Sequence, residues 1–488
     1  MGIGQKVVCI EWNMKRKNEL SEWILLSLGI LLLLLLLAVK HRLDASQNVA
    51  KSSRKTEKTD DLAKETVEKM TQENALFLKN QREEGEKQST KQIRIRVLLT
   101  DCGKRGNAQE KISLRGNAGL SRNDGTCLAK PQETLLVTRK TCEKVLSVIP
   151  EDEKAGTAVS LTGEAEDETV YPGSFTVYQS DEGLLVVNEL DLETYLRYVV
   201  PSEMPSTYEK EALKAQAVCA RTYACARIRE KTWEKYHADV DDSVESQVYR
   251  NLDAQPETDA AVEETEGKII TSGGEPIQAY FFSTSCGITS TDEVWNTAKT
   301  ADYLKSVAVG GKDKEPETEE AFASFITQKD STSLEVMDGW YRWCVTLPAA
   351  VVSERAADRK IGEIIKIDVI RRSDGGAAET VCLKGRKGEM KMEGEYQIRK
   401  FFSAKGYPIQ KNDGTISREM ELLPSACFIV KPETEGETVT SFTFYGGGYG
   451  HGVGMSQNGA QHLAEQGKTY EEILNYFYQR IEISDCRD

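Results

Sequence analysis

The chain has 488 residues, of which 39% are hydrophobic and 29% are charged, and its net charge at pH 7 is −15. A chain of this length is expected to form more than one compact unit, and its apolar share is adequate for folding. No cluster of Lys and Arg with interleaved aromatic residues occurs. Because a phosphate-binding surface needs such a cluster, we expect no nucleic-acid partner.

An uncharged apolar run of 17 residues occupies positions 23–39, with basic residues on both flanks. A membrane-spanning helix needs about 20 apolar residues, with a lower limit of about 17. No clear small-x-small cleavage site follows the run, so a signal anchor is favoured over a cleaved signal peptide or a buried helix. We therefore expect residues 1–22 to be cytoplasmic, and the protein to be a single-pass cell-membrane protein whose main domain lies outside the cytoplasm.

Residues 40–92 are polar and rich in Lys, Glu, Ser and Thr. Four apolar residues at roughly helical spacing indicate either a short amphipathic stalk or a disordered spacer. Either would hold the remaining residues, 93–488, away from the membrane.

Residues 93–488 contain many short segments that are typical of β-strands. These segments are QIRIRVLLTD, TLLVTR, SFTVYQS, GLLVVNEL, KIITSG, IQAYFFST, WCVTLP, IIKIDVIRR, ETVCLKG, ACFIVK and SFTFYG. Fewer segments are helical: about 207–231, LDLETYLRYVV, GEYQIRKFFS, SQNGAQHLAEQ and YEEILNYFYQR. An acidic segment at 312–323 is expected to be a loop. Segregated strands and helices predict an α+β, strand-rich ectodomain.

The eleven cysteines include no CxxC pair, so the sequence indicates neither a zinc ribbon nor a thioredoxin-like motif. Outside the cytoplasm some of them are able to form disulfides. Cys219 and Cys225 lie on one predicted helix and point in different directions, so they cannot bridge each other. Cys102, Cys127 and Cys142 lie in a loop-rich region and are the better candidates.

A single glutamate, Glu203, lies between two prolines in VPSEMPSTYEKEALKAQAV. The Ser-x-x-Glu spacing of Ser206 and Glu209 predicts a helix that begins there, which would place Glu203 in a short rigid loop at the helix entrance. Apolar neighbours would raise its pKa, as a general acid requires, whereas the helix N-terminus would favour the anion. An ordinary exposed loop acid remains the alternative.

The helix that follows carries an apolar stripe that is most simply core. The stripe consists of Leu213, Ala217, Ala220, Ala224 and Ile228. Gln216 and Tyr223 share another face, on which small alanines would let a ligand approach. The alternative for both is a satisfied, half-buried position.

The stretch FYGGGYGHGVGMSQNGAQ has glycine at every second position in its middle, which permits tight turns and close backbone approach. It lacks the Lys of a P-loop and the spacing of a dinucleotide fingerprint. His451 lies in its middle, and Ser456 is positioned to cap the next helix. His451 is either a site residue or a structural histidine.

A third stretch, YFFSTSCGITSTDEVW, passes from a strand into a hydroxyl-rich turn that contains Ser283 and Ser285. A serine nucleophile would need a base such as His451, but no G-x-S-x-G motif is present. The alternative is that these serine hydroxyls hydrogen-bond to a sugar or to the catalytic loop.

Together, VPSEMP with EALKAQAVCARTYA, FFSTSCGITSTDEVW and GYGHGVGMSQNGA, in this order, resemble the stage II sporulation protein D family, which is related to the amidase-enhancer proteins. The resemblance implies a membrane-anchored lytic transglycosylase that cuts peptidoglycan between N-acetylmuramic acid and N-acetylglucosamine during spore engulfment. It also implies glycan strands stripped of peptides as substrate, and stage II sporulation proteins P and M as partners. No cofactor is implied.

The resemblance assigns the catalytic general acid/base role to Glu203. The substrate groove is expected to include Gln216, Arg221, Tyr223, Ser283, Ser285, His451 and Gln457. Where some members of the family hold zinc with Cys and His, this chain has Asp241 and Glu245, so we expect no zinc there. Carboxylates favour harder ions, and exposed acids are the alternative. A non-catalytic wall-binding amidase enhancer, or a metal- or serine-dependent hydrolase, would also fit the sequence.

Overall fold

The computed structural model describes residues 92–487 except 155, 251–254, 298 and 312–315. The described residues belong to one compact unit, Lys91–Asp488. The predicted cytoplasmic segment, signal anchor and almost all of the stalk lie outside them. Within the described part of the chain, no helix is both long and apolar enough to cross a membrane.

Short strands make up most of the regular structure. They are β1 Arg94–Leu98, β2 Lys111–Gly116, β3 Leu120–Ser121, β4 Cys127–Ala129, β5 Thr134–Thr138, β6 Val145–Pro150, β7 Thr157–Ser160, β8 Thr169–Tyr171, β9 Ser174–Gln179, β10 Leu184–Asp191, β11 Val240–Asp241, β12 Lys268–Ser272, β13 Glu275–Pro276, β14 Phe281–Phe282, β15 Trp343–Pro348, β16 Ile364–Arg372, β17 Ala378–Gly385, β18 Gly388–Glu393, β19 Ile409–Lys411, β20 Ile416–Ser417, β21 Phe428–Glu435, β22 Thr438–Gly446, β23 Met455–Ser456 and β24 Glu482–Asp485.

The helices are fewer. They are α1 Leu192–Glu203, α2 Lys210–Glu230, α3 Pro256–Glu264, α4 Glu319–Thr327, α5 Ala349–Arg355, α6 Glu395–Phe401, α7 Gln457–Glu465 and α8 Tyr470–Phe477. This mixture confirms the α+β, strand-rich prediction for the described residues.

The largest sheet has seven strands in the order β11-β1-β10-β9-β6-β3-β4. Its pairs are antiparallel except β1 with β11, which are parallel and match Leu98 with Asp241. A second large sheet has the order β20-β19-β15-β22-β21. The C-terminal strand β24 pairs with β12 in a sheet of three strands. The chain order of these strands is therefore not their spatial order, since distant segments meet in each sheet.

Helix α2 is buried on almost all sides because it belongs to two hydrophobic cores. Ala212, Leu213 and Cys219 pack in a core with α7, α8 and the five-stranded sheet. Ala220 and Cys225 pack in the other core, with α1 and the seven-stranded sheet. A helix in such a position is apolar or small around its whole circumference, so its residues do not divide into one core stripe and one exposed face.

The predicted strands all overlap observed ones, although in IQAYFFST the strand is limited to Phe281–Phe282. The loop predicted at 312–323 is wrong in its described second half, because helix α4 begins at Glu319 with the side chain of Thr318 as its N-cap. Helices α3 and α5 were not predicted, since each has nine residues or fewer and little periodicity.

None of the described cysteines is disulfide-bonded in this structure, and that includes the three candidates Cys102, Cys127 and Cys142. Cys142 is buried in the core around α1, and Cys127 is exposed on β4. The Cys102 thiol lies 3.9 Å from the carbonyl oxygen of Tyr249. The three have separate environments despite their closeness in sequence.

Candidate active site

Glu203 is the last residue of α1, which corrects the prediction that it lies in a loop at a helix entrance. Asp191 is the N-cap residue of α1, and its side chain accepts a hydrogen bond from the Thr194 amide at 3.1 Å. The helix ends where Met204 becomes extended ahead of Pro205. Since anions are disfavoured at a helix C-terminus, the dipole of α1 opposes ionisation of Glu203.

The predicted capping box of Ser206 and Glu209 is also wrong. Helix α2 begins at Lys210, and Glu209, its N-cap residue, makes no side-chain capping bond. The Glu209 amide donates instead to Oε1 of Gln461 at 2.6 Å, and the Ser206 hydroxyl donates to Gln255. Contacts with distant segments have replaced the local cap.

Glu203 lies where the two cores meet. Val200, one turn before it, belongs to one core and Met204, directly after it, belongs to the other. The side chain is half-buried. Removal of water by these apolar neighbours raises the pKa of Glu203 to about 7, against the opposing effects of the Val248 amide and of Arg250. The predicted apolar surroundings are present, and burial outweighs the groups that favour the anion.

One hydrogen bond orients the Glu203 carboxyl group. The Val248 amide donates to its Oε1 at 2.7 Å. The loop that carries Val248 is fixed through Gln247, whose Oε1 accepts from the Tyr195 hydroxyl at 3.2 Å and whose Nε2 donates to the Ala220 carbonyl at 3.3 Å. Helices α1 and α2 therefore both position the amide that holds the carboxyl group.

Gln457 joins Glu203 to α7 and also contacts Gln216 of α2. The Nε2 atom of Gln457, the first residue of α7, donates to the backbone carbonyl of Glu203 at 3.0 Å and approaches Oε1 of Gln216 at 3.4 Å. Gln216 is fully buried, and its Nε2 has no hydrogen-bond partner among the residues that the structure describes. The structure thus brings together three of the predicted site residues.

A second carboxyl group, that of Glu335, lies inside the serine-bearing turn. Its oxygens accept from the Ser285 amide at 3.1 and 3.2 Å, from the Ser285 hydroxyl, and from the Ser456 hydroxyl at 2.5 Å. Glu335 is 0% exposed, and burial raises its pKa to about 7. No local sequence signal identifies this residue, because its partners lie 50 and 121 positions away.

Ser283 lies against the start of α7. Its carbonyl accepts from the Asn458 amide at 3.0 Å. The Asn458 side chain donates to the hydroxyl of Thr284 at 3.1 Å and accepts from the hydroxyl of Tyr208. Ser456 caps α7 by accepting from the Gly459 amide at 3.3 Å, as predicted. The serine-bearing turn, the loop after Glu203 and α7 are therefore held together.

His451 is enclosed by aromatic rings. Its ring lies 5.2 Å from that of Trp295, 5.7 Å from that of Phe282 and 6.2 Å from that of Tyr280. Nδ1 accepts from the Val453 amide at 3.0 Å, and burial lowers the His451 pKa to about 4. The imidazole is therefore neutral at pH 7, and these contacts favour the structural interpretation over that of a base for a serine.

Arg221 and Tyr223, two further predicted groove residues, are buried among other side chains. Arg221 is fully buried, and its guanidinium makes two 2.7 Å bonds to Glu193 and further bonds to the carbonyls of Val262 and Lys268. These contacts occupy the guanidinium and indicate a structural role. Tyr223 is 5% exposed and packs edge-on against Tyr280.

The two acids at the family's metal-ligand positions have different surroundings. Asp241 is buried and accepts from Ser243 at 2.6 Å, its Oδ1 has no hydrogen-bond partner in the described part of the chain, and Glu245 is exposed. Among the described residues there is no group of three or more His, Cys, Asp or Glu side chains that would hold a metal ion.

The sequence of this region matches known proteins. The model of the "Stage II sporulation protein" family matches residues 180–272, which include Glu203 and Gln216, and a domain of unknown function matches residues 289–454. Stage II sporulation protein D of Bacillus subtilis is 30% identical over 368 residues, which cover 72% of this chain and 91% of that protein.

The chain belongs to the stage II sporulation protein D family.

Two further relatives agree with this assignment. Stage II sporulation protein D of Bacillus amyloliquefaciens is 31% identical over 64% of this chain and 80% of its own length. The amidase enhancer of Bacillus subtilis is 30% identical over 70% of this chain, but only 47% of that protein is covered.

Proposed function

We propose that this member of the stage II sporulation protein D family is a lytic transglycosylase, with Glu203 as its general acid and base. It would cleave peptidoglycan strands between N-acetylmuramic acid and N-acetylglucosamine. The observation that carries the proposal is a half-buried carboxyl group with a pKa of about 7, held by one backbone amide at the junction of two cores. A general acid is most effective when its pKa lies near the working pH.

The reaction needs one carboxyl group that first gives and then takes a proton. Protonated Glu203 donates its proton to the glycosidic oxygen, the bond from that oxygen to C1 of N-acetylmuramic acid breaks, and N-acetylglucosamine leaves with a new hydroxyl. The 6-hydroxyl of the muramic acid then bonds to C1 and gives its proton to the Glu203 carboxylate. The product is a 1,6-anhydro ring, the acid is regenerated, and no water is consumed.

The contacts of Glu203 suit these two proton transfers. The Val248 amide engages Oε1, which leaves Oε2 to carry the proton. The bond from Gln457 to the Glu203 carbonyl fixes the backbone that bears the carboxyl group. Ordinary glycosidases use two carboxyl groups on opposite sides of the bond. Glu335 does not fit that second role, because it is 0% exposed and bonded to two serines and an amide.

Location and partners follow from the family resemblance and the sequence. We propose that the protein is anchored in the cell membrane by residues 23–39, with its catalytic domain outside the cytoplasm. There it would act on strands stripped of peptides during engulfment, beside stage II sporulation proteins P and M.

The test is product analysis with purified full-length protein and denuded glycan strands. Mass spectrometry should find chain ends that are lighter by one water than reducing ends. Glu203→Gln should lower the rate by a factor of about 10²–10⁴. Glu209→Gln, an exposed acid in the next loop, is the matched control and should retain full activity. Activity in the Glu203 variant equal to that of the control would remove the proposal.

The second candidate is a non-catalytic protein that stimulates an amidase, which the similarity to an amidase enhancer favours. In that case the protein would bind glycan without forming new chain ends, and an added cell-wall amidase would release more peptide. The stimulation would then be equal for the Glu203→Gln protein. The two candidates are therefore separated by the same variant.

A further inference from the structure

Four of the described cysteines form two thiol pairs between segments that are distant in sequence. Cys286 lies in the serine-bearing turn and Cys427 immediately before β21, and the neighbouring Cys427 thiol lowers the pKa of Cys286. Cys225 lies on α2 and Cys486 immediately after β24, and the neighbouring Cys225 thiol lowers the pKa of Cys486. The sequence spacing of neither pair predicts that its two cysteines lie close together.

The backbone around Cys286 and Cys427 explains why they meet. The Gly447 amide donates to the Cys427 carbonyl at 3.0 Å, so these two residues are neighbours across β21 and β22. A Cβ atom placed on Gly447 would lie 3.0 Å from Cβ of Cys286. Both cysteines therefore flank the same glycine, which leaves room for their side chains because it has none.

The second pair is placed by the sheet that contains the C-terminal strand. The Cys486 amide donates to the Gly267 carbonyl at 2.8 Å, and the guanidinium of Arg221 donates to the next carbonyl, that of Lys268, at 3.1 Å. Cys225 lies one helical turn after Arg221, on the same face of α2. Cys486 accordingly packs against the core that contains Cys225.

We propose that Cys286 with Cys427, and Cys225 with Cys486, form two disulfide bonds in the mature protein. Disulfides form in oxidising compartments, so the proposal agrees with the expected location of these residues outside the cytoplasm. Other described thiols have other neighbours: that of Cys219 contacts the sulfur of Met455 and the hydroxyl of Tyr478.

Each bond forms by thiol–disulfide exchange with a small disulfide oxidant. The thiolate of one cysteine attacks a sulfur of the oxidant and releases a thiolate, and the second cysteine, after losing its proton, attacks the mixed disulfide and releases another. Two electrons pass from the pair to the oxidant, which becomes two thiols by taking up the two protons. Because Cys286 is 2% and Cys427 4% exposed, this exchange takes place before the chain has packed fully around the pair.

The two bonds would act on the candidate active site. Cys286 follows Ser285, which holds Glu335, so its bond would tie the serine-bearing turn to the base of the glycine-rich loop. The bond from Cys225 would tie α2 to the C-terminal strand. Both would close loops of more than 100 residues, for which the entropic stabilisation is largest.

Peptide mapping without reduction tests the proposal directly. Cells that express the full-length protein are treated with N-ethylmaleimide before lysis and again in denaturant, and the digest is analysed by mass spectrometry. We expect peptides linked through 286–427 and 225–486, and maleimide on Cys344. Maleimide on all four paired cysteines, or bonds to other partners, would overturn the proposal.

Thermal unfolding of the purified protein gives a second test. Reductant should lower the unfolding midpoint by about 5–10 °C. The Cys286→Ala/Cys427→Ala protein should lose part of this sensitivity, whereas Cys344→Ala should keep all of it. If the double variant does not fold, Cys427→Ala alone still decides the matter, because in denaturant without reductant maleimide should label Cys286 in this variant but not in the unsubstituted protein. A midpoint unaffected by reductant would contradict the proposal.

Discussion

Glu203 and Glu335 are two carboxyl groups with pKa values raised to about 7 by burial, yet their surroundings differ. Glu203 is half-buried at the end of a helix and accepts one backbone amide bond. Glu335 is fully enclosed and accepts from two hydroxyls and an amide. A raised pKa therefore does not identify a catalytic acid by itself, because a fully enclosed carboxyl group shares it; exposure to solvent separates the two.

The largest expected difference between the two glutamates is in the pH dependence of activity. A general acid must be protonated, so kcat/KM should fall about tenfold per pH unit above the Glu203 pKa of about 7. The Glu335→Gln protein should show the same fall at the same pH, measured by release of anhydro ends across pH 5–9. If Glu335→Gln abolished the pH dependence, the roles assigned to the two residues would be exchanged.

Replacement by alanine should destabilise the protein more at Glu335 than at Glu203. Glu335→Ala leaves two hydroxyls and an amide without their acceptor in a buried site, so we expect a loss of about 3–5 kcal/mol in the free energy of unfolding. Glu203→Ala removes a half-buried acid that itself costs desolvation, and should change stability by about 1 kcal/mol or less. Urea unfolding at pH 7 measures both values, and equal losses would contradict the expected difference between Glu335 and Glu203.

The stability should also depend on pH through Glu335. Its pKa in the folded protein, about 7, is above the ordinary 4.5, so between these values the unfolded chain releases a proton that the folded chain keeps. Stability therefore falls as the pH rises from 4.5 through 7, by about 3 kcal/mol for this group. Unfolding of Glu335→Gln at pH 4.5 and 7.5 should show a pH dependence smaller by that amount. Because the pKa of Glu203 is also raised from 4.5 to about 7, Glu203→Gln should reduce the pH dependence by a similar amount, and an unchanged pH dependence in either variant would contradict the raised pKa of that group.

The smallest effect is expected at Gln457. Loss of its bond to the Glu203 carbonyl in Gln457→Ala should cost about 1 kcal/mol, or about fivefold in kcat/KM. Gln466→Ala, an exposed residue just after the same helix, is the control and should leave kcat/KM unchanged. Equal values for the two variants would mean that Gln457 does not hold the acid in place.

Much of the fold could be predicted from local patterns, and the site only in part. Strands such as β10 and β22 are clear because their apolar residues follow the strand period. The apolar surroundings of Glu203 were also visible in its neighbours in sequence. The cap at Ser206 was wrong because Gln461, 252 positions from Glu209, offers a competing partner. Local preference is overridden wherever a tertiary contact supplies the same hydrogen bond.

Glu335 and the two thiol pairs could not be predicted, because their partners are brought together only by the fold. Arg221 was expected in the groove, but its contacts with Glu193 are intramolecular. A buried arginine and a substrate-binding arginine have the same sequence appearance, since each lies among small residues on a helix. In this protein the structural role of Arg221 is set by Glu193 of α1, which binds the guanidinium.

Helix α2 has residues in both hydrophobic cores, and this has a consequence for how the domain melts. Neither half can come apart while the other keeps its native arrangement, because the shared helix would lose one complete set of neighbours. Heating should therefore produce one calorimetric peak whose van't Hoff and measured enthalpies agree. Partially melted forms, which are the usual targets of proteases, would then be rare.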